Sequence, residues 1–530
     1  MKKKKKNDDG IIRLIPQRRK GILKLVFSRL FMIALLILMQ IGILLSIYQF
    51  FLDFFPHINL FLSVFSVVMI FYLFNDKMAY SAKLTWLLII MFFPIPGTIL
   101  LFLTKYDFGH YTLKKRMEFL VKSTKRTLPH NREIMNDAEL KKSGTSDLCR
   151  YINRTGCFPL YNKTETEYFP CGEAKFASVL EELEKAEHFI FMEYFIIAEG
   201  YMWGKILEIL RRKVQQGVDV RVIYDGMCEM STLTHDYPKR MAELGIKCKA
   251  FAPIAPFLST HYNYRDHRKI LVIDGKVAYN GGINFADEYI NKKERFGHWK
   301  DAAVMIKGSA VQSFTLMFLQ MWNIDEKEPE WDKWLAVPKN ISINRSIADG
   351  CVMPYADCPL DGDKVGENVY MDILNRATKY VHIMTPYLIL DGELETSIKF
   401  AAERGIDVKI ILPGIPDKKT AYALAKTHYK ELIKSGVKIY EYTPGFVHSK
   451  VFVCDDEKAV VGTINLDYRS LYHHFECATY MYRTSCIPAI EADFQQTLGD
   501  CRKVTPETIR NEKLYYKVTG QILKLVAPLF

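Results

Sequence analysis

Two short stretches hold the residue types that move phosphoryl groups. "HYNYRDHRKILVID" (261–274) and "GFVHSKVFVCDD" (445–456) each carry a His, a Lys two residues on and an Asp five residues after that. The two sets are His267, Lys269 and Asp274, then His448, Lys450 and Asp455. Seventeen residues beyond each His stands an Asn, Asn284 in "NGGIN" and Asn465 in "VGTIN". With 13 histidines in the chain, one chance His-x-Lys-x4-Asp is expected about 0.05 times at ordinary Lys and Asp frequencies. Two in equivalent surroundings are not an accident.

Residues i and i+2 of a strand share a face, so each His projects with its Lys. One half offers an imidazole and an ammonium but no acid–base pair. Two halves facing one another give two His, two Lys and two Asn around one pocket. The Lys and Asn suit phosphate oxygens, as point charges and neutral donors. Two imidazoles suit a two-step displacement, one as nucleophile and the other as acid and then base. No carboxylate cluster or Cys/His spacing points to a metal, and no cofactor is expected. The 11 cysteines contain no CxxC pair and read as reduced thiols.

These residues need elements to position them. "AEHFIFMEYFII" (186–197), "GKILEILRRKVQQG" (204–217) and "VDVRVIYDG" (218–226) read as strand, amphipathic helix and strand. The order returns in "TKYVHIMTPYLIL" (378–390), "GELETSIKFAAERG" (392–405) and "IDVKIILPG" (406–414). The chain is a duplication of α/β units, with βαβ connections and a largely parallel sheet expected in each. Glu193 and Asp225, near strand ends, read as structural parts of the pocket wall. His261, His298, His473 and His474 read as ordinary surface or lining residues.

The N-terminal part is apolar. Residues 30–52 carry no charge, and residues 54–75 hold only His57 as a titrating group; each run is long enough to cross a bilayer. A third run, Leu84 to Thr104, is interrupted by Pro94, Pro96 and Gly97 and reads as a hairpin or a kinked span. Basic residues crowd the N-terminus and the 77–83 loop, which places both in the cytoplasm and favours a hairpin with the remainder cytoplasmic. The net charge of +12 suits an anionic partner. Beside two spans that partner is membrane lipid, and no nucleic acid is expected. The expected organisation is a basic N-terminus (1–29), a transmembrane region (30–105, with spans at about 30–52 and 57–75), a connector (106–160), two repeats (161–343 and 344–500) and a C-terminal tail (501–530). The tail's "KLYYKVTGQILKLVAPLF" (513–530) reads either as an interfacial helix or as packing on the second repeat.

The paired motifs, each followed by Gly-[Gly/Thr]-x-Asn, resemble the phospholipase D superfamily. With the apolar runs, "AKLTWLLIIMFFPIPGTIL" (82–100), "YRDHRKILVIDGKVAYNGGIN" (264–284) and "HSKVFVCDDEKAVVGTINLDYRS" (448–470), the chain is similar to bacterial cardiolipin synthases from about residue 30 onward. The resemblance implies two tandem phospholipase D-like α/β domains around a pseudo-twofold site, on a multi-pass protein of the cell membrane. It also implies a reaction in which two phosphatidylglycerols give cardiolipin and glycerol through a phosphohistidine. His267 then attacks phosphorus and His448 serves as acid and base, the reverse being open by symmetry. Lys269, Lys450, Asn284 and Asn465 hold the phosphate. Asp301 in "HWKDAAV" and Glu476 in "HHFECAT" match the carboxylates that orient the histidines. Asp274 and Asp455 belong to the catalytic motif, though their place at strand ends points to structure. Two positions depart from the expected pattern: Asp266 and His474 stand where Asn is usual, and Asp266 is expected to raise the pKa of His267. Competing readings are hydrolysis by water, another alcohol acceptor, or an inactive scaffold that binds anionic lipid.

Overall fold

The computed structural model describes residues 11–15, 29–54, 58–76, 78, 80–105, 108–128, 132–253, 264–335, 343–344, 348–525 and 527–529. His57, His261, Lys77 and the basic residues 2–6 lie outside the described residues.

The first repeat contributes strands β1 (Thr164–Phe169), β2 (Phe189–Tyr194), β3 (Asp219–Asp225), β4 (Lys247–Phe251), β5 (Arg265–Asp266), β6 (Lys269–Ile273), β7 (Val277–Gly281), β8 (His298–Lys300) and β9 (Ala303–Gly308). The second contributes β10 (Cys351–Asp357), β11 (Tyr380–Met384), β12 (Asp407–Pro413), β13 (Lys438–Tyr442), β14 (Gly445–Val447), β15 (Val451–Cys454), β16 (Lys458–Gly462), β17 (His474–Tyr482) and β18 (Cys501–Lys503). One sheet runs β1-β9-β7-β6-β2-β3-β4 and the other β10-β17-β16-β15-β11-β12-β13-β18. Strand for strand the two orders correspond, with β18 added at one edge. The strands read from 186–197, 218–226, 378–390 and 406–414 are present, as are the helices between them (Tyr201–Gln215 and Gly392–Glu403).

Less than half of each sheet is parallel. β2-β3-β4 and β11-β12-β13 run parallel, linked by helices. The motif strands β6 and β15 are antiparallel to both neighbours. Each returns through a tight turn in which Asp274 (φ 53) or Asp455 (φ 55) takes the left-handed conformation that Asp tolerates. A turn that short closes a hairpin and leaves no room for a crossover helix, so the expectation of a largely parallel sheet is corrected. The motif strands are fully buried, as strands covered on both faces must be.

Two small exchanges join the repeats. β5, just ahead of His267, pairs in parallel with the start of β17. β14, just ahead of His448, pairs in parallel with β8. Residues 106–160 are no simple linker: Leu113, Met117, Leu120, Leu148, Cys149 and Ile152 join the core shared with the second repeat. The second sheet also extends past residue 500, because β18 pairs with β13.

Ahead of the repeats stand helices α1 (Arg29–Phe54), α2 (Ile58–Asn75), α3 (Tyr80–Phe92) and α4 (Pro94–Lys105). Parts of the side chains of α1 and α2 lie outside the described residues, and among the described residues no helix is long and apolar enough to cross a membrane. α3 and α4 divide the third apolar run at Phe93. A Cβ at Gly97 would lie 3.1 Å from Ile89, eight residues back, so the chain folds sharply on itself there. Met69, Leu73, Trp86, Ile90 and Leu101 pack this unit together. Residues 11–15 cross the first repeat as a strap. Leu14 N–H donates to Glu199 (3.0 Å), Arg240 donates to the Leu14 carbonyl (2.7 Å), and Ile12, Leu14 and Ile15 pack on the core. Near the other terminus, α5 (Lys419–Lys434) receives α6 (Leu514–Lys524), with Gly520 against the Ala423 carbonyl. The tail therefore packs on the second repeat, while Leu514, Val518, Ile522 and Leu525 stay exposed.

Candidate active site

The strand exchanges explain the geometry of the pocket. His267 N–H donates to the Phe475 carbonyl (2.9 Å), which sets His267 beside Glu476. His448 N–H donates to the Lys300 carbonyl (2.7 Å), which sets His448 beside Asp301. His267 Nδ1 lies 2.9 and 3.0 Å from the two Glu476 oxygens, and His448 Nδ1 lies 2.7 Å from Asp301 Oδ2. Each repeat thus supplies the carboxylate that holds the other repeat's histidine. With Nδ1 engaged, Nε2 is the ring nitrogen left for chemistry.

The remaining members are equally enclosed. Lys269 and Lys450 are buried, and each ammonium donates to the carbonyl of its own motif histidine. Asn284 accepts from Ile196 N–H (3.0 Å) and donates to the Tyr289 hydroxyl (2.8 Å), and the Tyr289 ring lies 5.4 Å from that of His448. Asn465 is buried, and its Oδ1 has no hydrogen-bond partner among the described residues. Glu476 also takes hydrogen bonds from Ser470 (2.6 Å) and Thr463.

Asp274 and Asp455 do not join this group. Asp274 accepts from the backbone N–H groups of Glu187, His188 and Phe189 (2.8, 2.8 and 2.7 Å). Asp455 does the same for Thr378, Lys379 and Tyr380. Both sit at the far end of the motif strand and fasten the start of its neighbour, which corrects their inclusion in the catalytic set.

Burial and charge set the protonation states. Burial, reinforced by Lys269, His474 and Lys450, holds the His267 ring well below the ordinary imidazole pKa. Burial and Lys450 bring His448 down to about 4, against the pull of Asp301. Burial lowers Lys269 to about 8 and Lys450 to about 7. Burial raises Asp301, but His448 and Lys450 outweigh it and keep the carboxyl below its usual range. Burial pushes Glu476 up, opposed by Lys269 and the two hydroxyls. Burial thus favours neutral imidazoles and easily discharged lysines, and an anion beside them would raise the pKa of all four.

Some pocket residues carry little sequence signal. His474 is buried, its ring lies 5.3 Å from His267, and neither of its nitrogens has a hydrogen-bond partner among the described residues. It is thus a lining residue in direct company with His267. His267, His474 and Glu476 bring ligand atoms within 4.8 Å of one another, a spacing open to a metal ion. The neighbouring Lys269 and Lys450 make that pocket better suited to an anion. Lys175, buried on the inner face of its helix, donates to the Ile283 carbonyl (3.1 Å) near Asp301. A cation on the apolar face of the 172–184 helix was the available clue. The His267 pKa is lowered, against the rise expected from Asp266. The Asp266 carboxylate accepts from Arg268 N–H (3.2 Å) within a buried network of Asp225, Glu193, Arg265 and Arg268. Glu193 and Asp225 thus sit in the wall. His298 is exposed and bonded to the Tyr442 hydroxyl (2.9 Å), and His473 is half-buried.

Comparison with known proteins agrees with the fold. The chain matches the family described as cardiolipin synthase, PLD-like domain, over residues 179–322 and 370–498, and it belongs to that family. An uncharacterized protein of Streptococcus mutans serotype c is 58% identical over 86% of this chain and 98% of its own. The cardiolipin synthase of Alkalihalophilus pseudofirmus is 32% identical over 85% of this chain and 89% of its own. The phosphatidylserine synthase structure from Haemophilus influenzae Rd KW20 shares the fold, with a TM-score of 0.53 at 16% identity over 69% of this chain and 95% of that one.

Proposed function

We propose that this protein joins two phosphatidylglycerols into cardiolipin, with release of glycerol. Its family membership makes it a phosphatidyltransferase of phospholipid biosynthesis. The observation that carries the finer reading is the crossed pair of histidine–carboxylate contacts over two buried lysines. In the proposed first step, His267 Nε2 attacks phosphorus, the P–O bond to glycerol breaks, and His448 passes a proton to the departing oxygen. In the second, a hydroxyl of another phosphatidylglycerol gives its proton to His448 as its oxygen attacks, and the P–N bond breaks. Lys269, Lys450 and Asn465 hold the phosphate oxygens, with Asn284 positioning the buried Tyr289 beside His448. The assignment of His448 to proton transfer is favoured by Asp301, which stays ionised behind it and supports the imidazolium formed in transit.

We also propose that α1 and α2 cross the membrane and that α3 and α4 form a hairpin on the cytoplasmic side. Exposed Leu38, Ile43, Phe50, Leu60, Phe71 and Phe74 on α1 and α2 support a lipid environment. At about 1.5 Å per residue, α3 and α4 are each too short for a core of about 30 Å. The strap supports a single side for both flanks of this region, because residues 11–15 precede α1 and yet dock on the first repeat. The repeats then span about 161–343 and 344–503.

Product analysis tests the reaction. Labelled phosphatidylglycerol with the full-length protein is expected to give cardiolipin and glycerol in equal amounts, with none from His267→Ala or His448→Ala. Phosphatidic acid as the main product from the parent would replace this reading with hydrolysis.

A further inference from the structure

Cardiolipin carries two phosphodiesters joined through one glycerol. If the phosphatidyl-transfer reading holds, the second phosphatidylglycerol must be held with its own phosphate one glycerol away from the phosphorus on His267. Lys269 and Lys450 are enclosed around the first phosphate, so the second anion needs cations of its own, outside that pocket but beside it.

A cavity of about 300 Å3 meets this requirement. It lies between the loop after β11, the start of α5, the loop after β16 and the end of the C-terminal tail. Lys418 and Arg469 line it, both exposed, and neither forms an ion pair among the described residues. The rest of the lining is largely apolar, including Leu424 and Leu523, with Tyr387 at one side. Two cations outside any close ion pair, over a largely apolar wall, suit a phosphodiester bearing acyl chains.

Hydrogen bonds link the wall of the cavity to the reaction centre. Asp467 lines it, is buried, and stands two residues after Asn465. Asp467 accepts from Ser470 N–H (2.8 Å), and Ser470 Oγ in turn donates to Glu476 behind His267 (2.6 Å). Asp467 also lies within electrostatic reach of Lys418, Arg469 and Lys450. The opposite wall leads to the hairpin: the tail that supplies Leu523 accepts a hydrogen bond at Leu525 O from Thr85 of α3 (2.8 Å). The cavity thus lies between the hairpin side of the tail and the residues that back the Lys450 side of the pocket.

We propose that this cavity is the acceptor-lipid site, where Lys418 and Arg469 hold the phosphodiester of the second phosphatidylglycerol while its glycerol extends past Asp467 toward His448. The acyl chains leave between Leu424 and Leu523 toward the hairpin. The site takes an anionic glycerophospholipid with a free hydroxyl in its headgroup.

The test is partition between acceptors. Full-length parent, Lys418→Ala/Arg469→Ala and the charge-keeping Lys418→Arg are each given phosphatidylglycerol vesicles, and cardiolipin, phosphatidic acid and glycerol are measured together. Removing both cations is expected to cut the cardiolipin-to-phosphatidic acid ratio about tenfold and to raise the KM for acceptor lipid by a similar factor. Lys418→Arg is expected to keep the parent ratio. An unchanged ratio and KM in the double variant would overturn the site. Loss of glycerol release in proportion to cardiolipin would overturn it too, since the cations would then serve the donor. A parent that releases no glycerol would instead refute the transfer reading on which the proposal rests.

Discussion

Replacing Asp301 by Asn alters the first repeat and is expected to disable the histidine of the second. The Asp301–His448 contact is 2.7 Å and Asp301 is fully buried, and Asn keeps the size while removing the charge. A hydrogen bond to a charged group contributes about 1.5–3 kcal/mol. At 1.36 kcal/mol per factor of ten, kcat falls about 10- to 150-fold. An amide that turns its NH2 toward Nδ1 reverses the tautomer and deepens the loss toward about 10⁴-fold, the scale known for a triad Asp made Asn. Rates are best taken near pH 6, where Lys450, with its pKa of about 7, remains charged, so that loss of phosphate binding does not mimic loss of proton transfer. The two half-sites separate with a phosphatidyl ester of p-nitrophenol, whose leaving group needs no proton. On that substrate the nitrophenol burst of Asp301→Asn should match the parent, while Glu476→Gln, which acts on His267, should slow it. A kcat within threefold of the parent for Asp301→Asn, or an equally slowed burst, would refute the crossed assignment.

Other expectations follow from the same geometry. The phosphate-binding role proposed for Lys269 and Lys450 needs their protonated forms, so kcat/KM should fall as pH rises through 7 to 8. The limb in kcat should lie higher, because bound phosphate raises both pKa values; a kcat/KM flat from pH 6 to 9 would contradict the role given to these lysines. Asp274→Ala frees three backbone N–H groups and should lower stability by about 1–3 kcal/mol in denaturant titration. The folded fraction should keep its kcat, and a large loss of kcat at full stability would return Asp274 to the catalytic set. Gly204→Ala places a Cβ 2.2 Å from Ile11 and should lift the strap. Trypsin should then cut after Arg13 faster while kcat in detergent holds, and unchanged cleavage would mean that the strap does not depend on Gly204.

The pairing of the motif side chains was legible because it is local. A strand places residues two apart on one face, so His267 with Lys269 and His448 with Lys450 could be paired from spacing alone. The duplication supplied the second half. The crossing could not be read, because it arises from β5 pairing with β17 and β14 with β8, contacts that join residues far apart in the chain. Asp301 and Glu476 entered through resemblance, without an indication of which histidine each would hold. His474 looked ordinary for the same reason: the β5–β17 pairing is what buries it beside His267. The hairpin turns of β6 and β15 are masked in the sequence by the strand–helix–strand pattern on either side, which points to parallel order, although Asp274-Gly275 marks one of them. Pro94, Pro96 and Gly97 did locate the break between α3 and α4. The strap was out of reach, as five residues bury too little surface to stand out from a charged N-terminus.

The claim that two histidines divide one transfer into two displacements is tested most directly at phosphorus. Phosphatidylglycerol made chiral at phosphorus with oxygen isotopes is converted to cardiolipin by the full-length protein, and the configuration of the transferred phosphate is determined. Two in-line displacements, through a bond to His267, predict overall retention. Inversion would mean that the second lipid attacks directly, and the covalent role of His267 would be wrong.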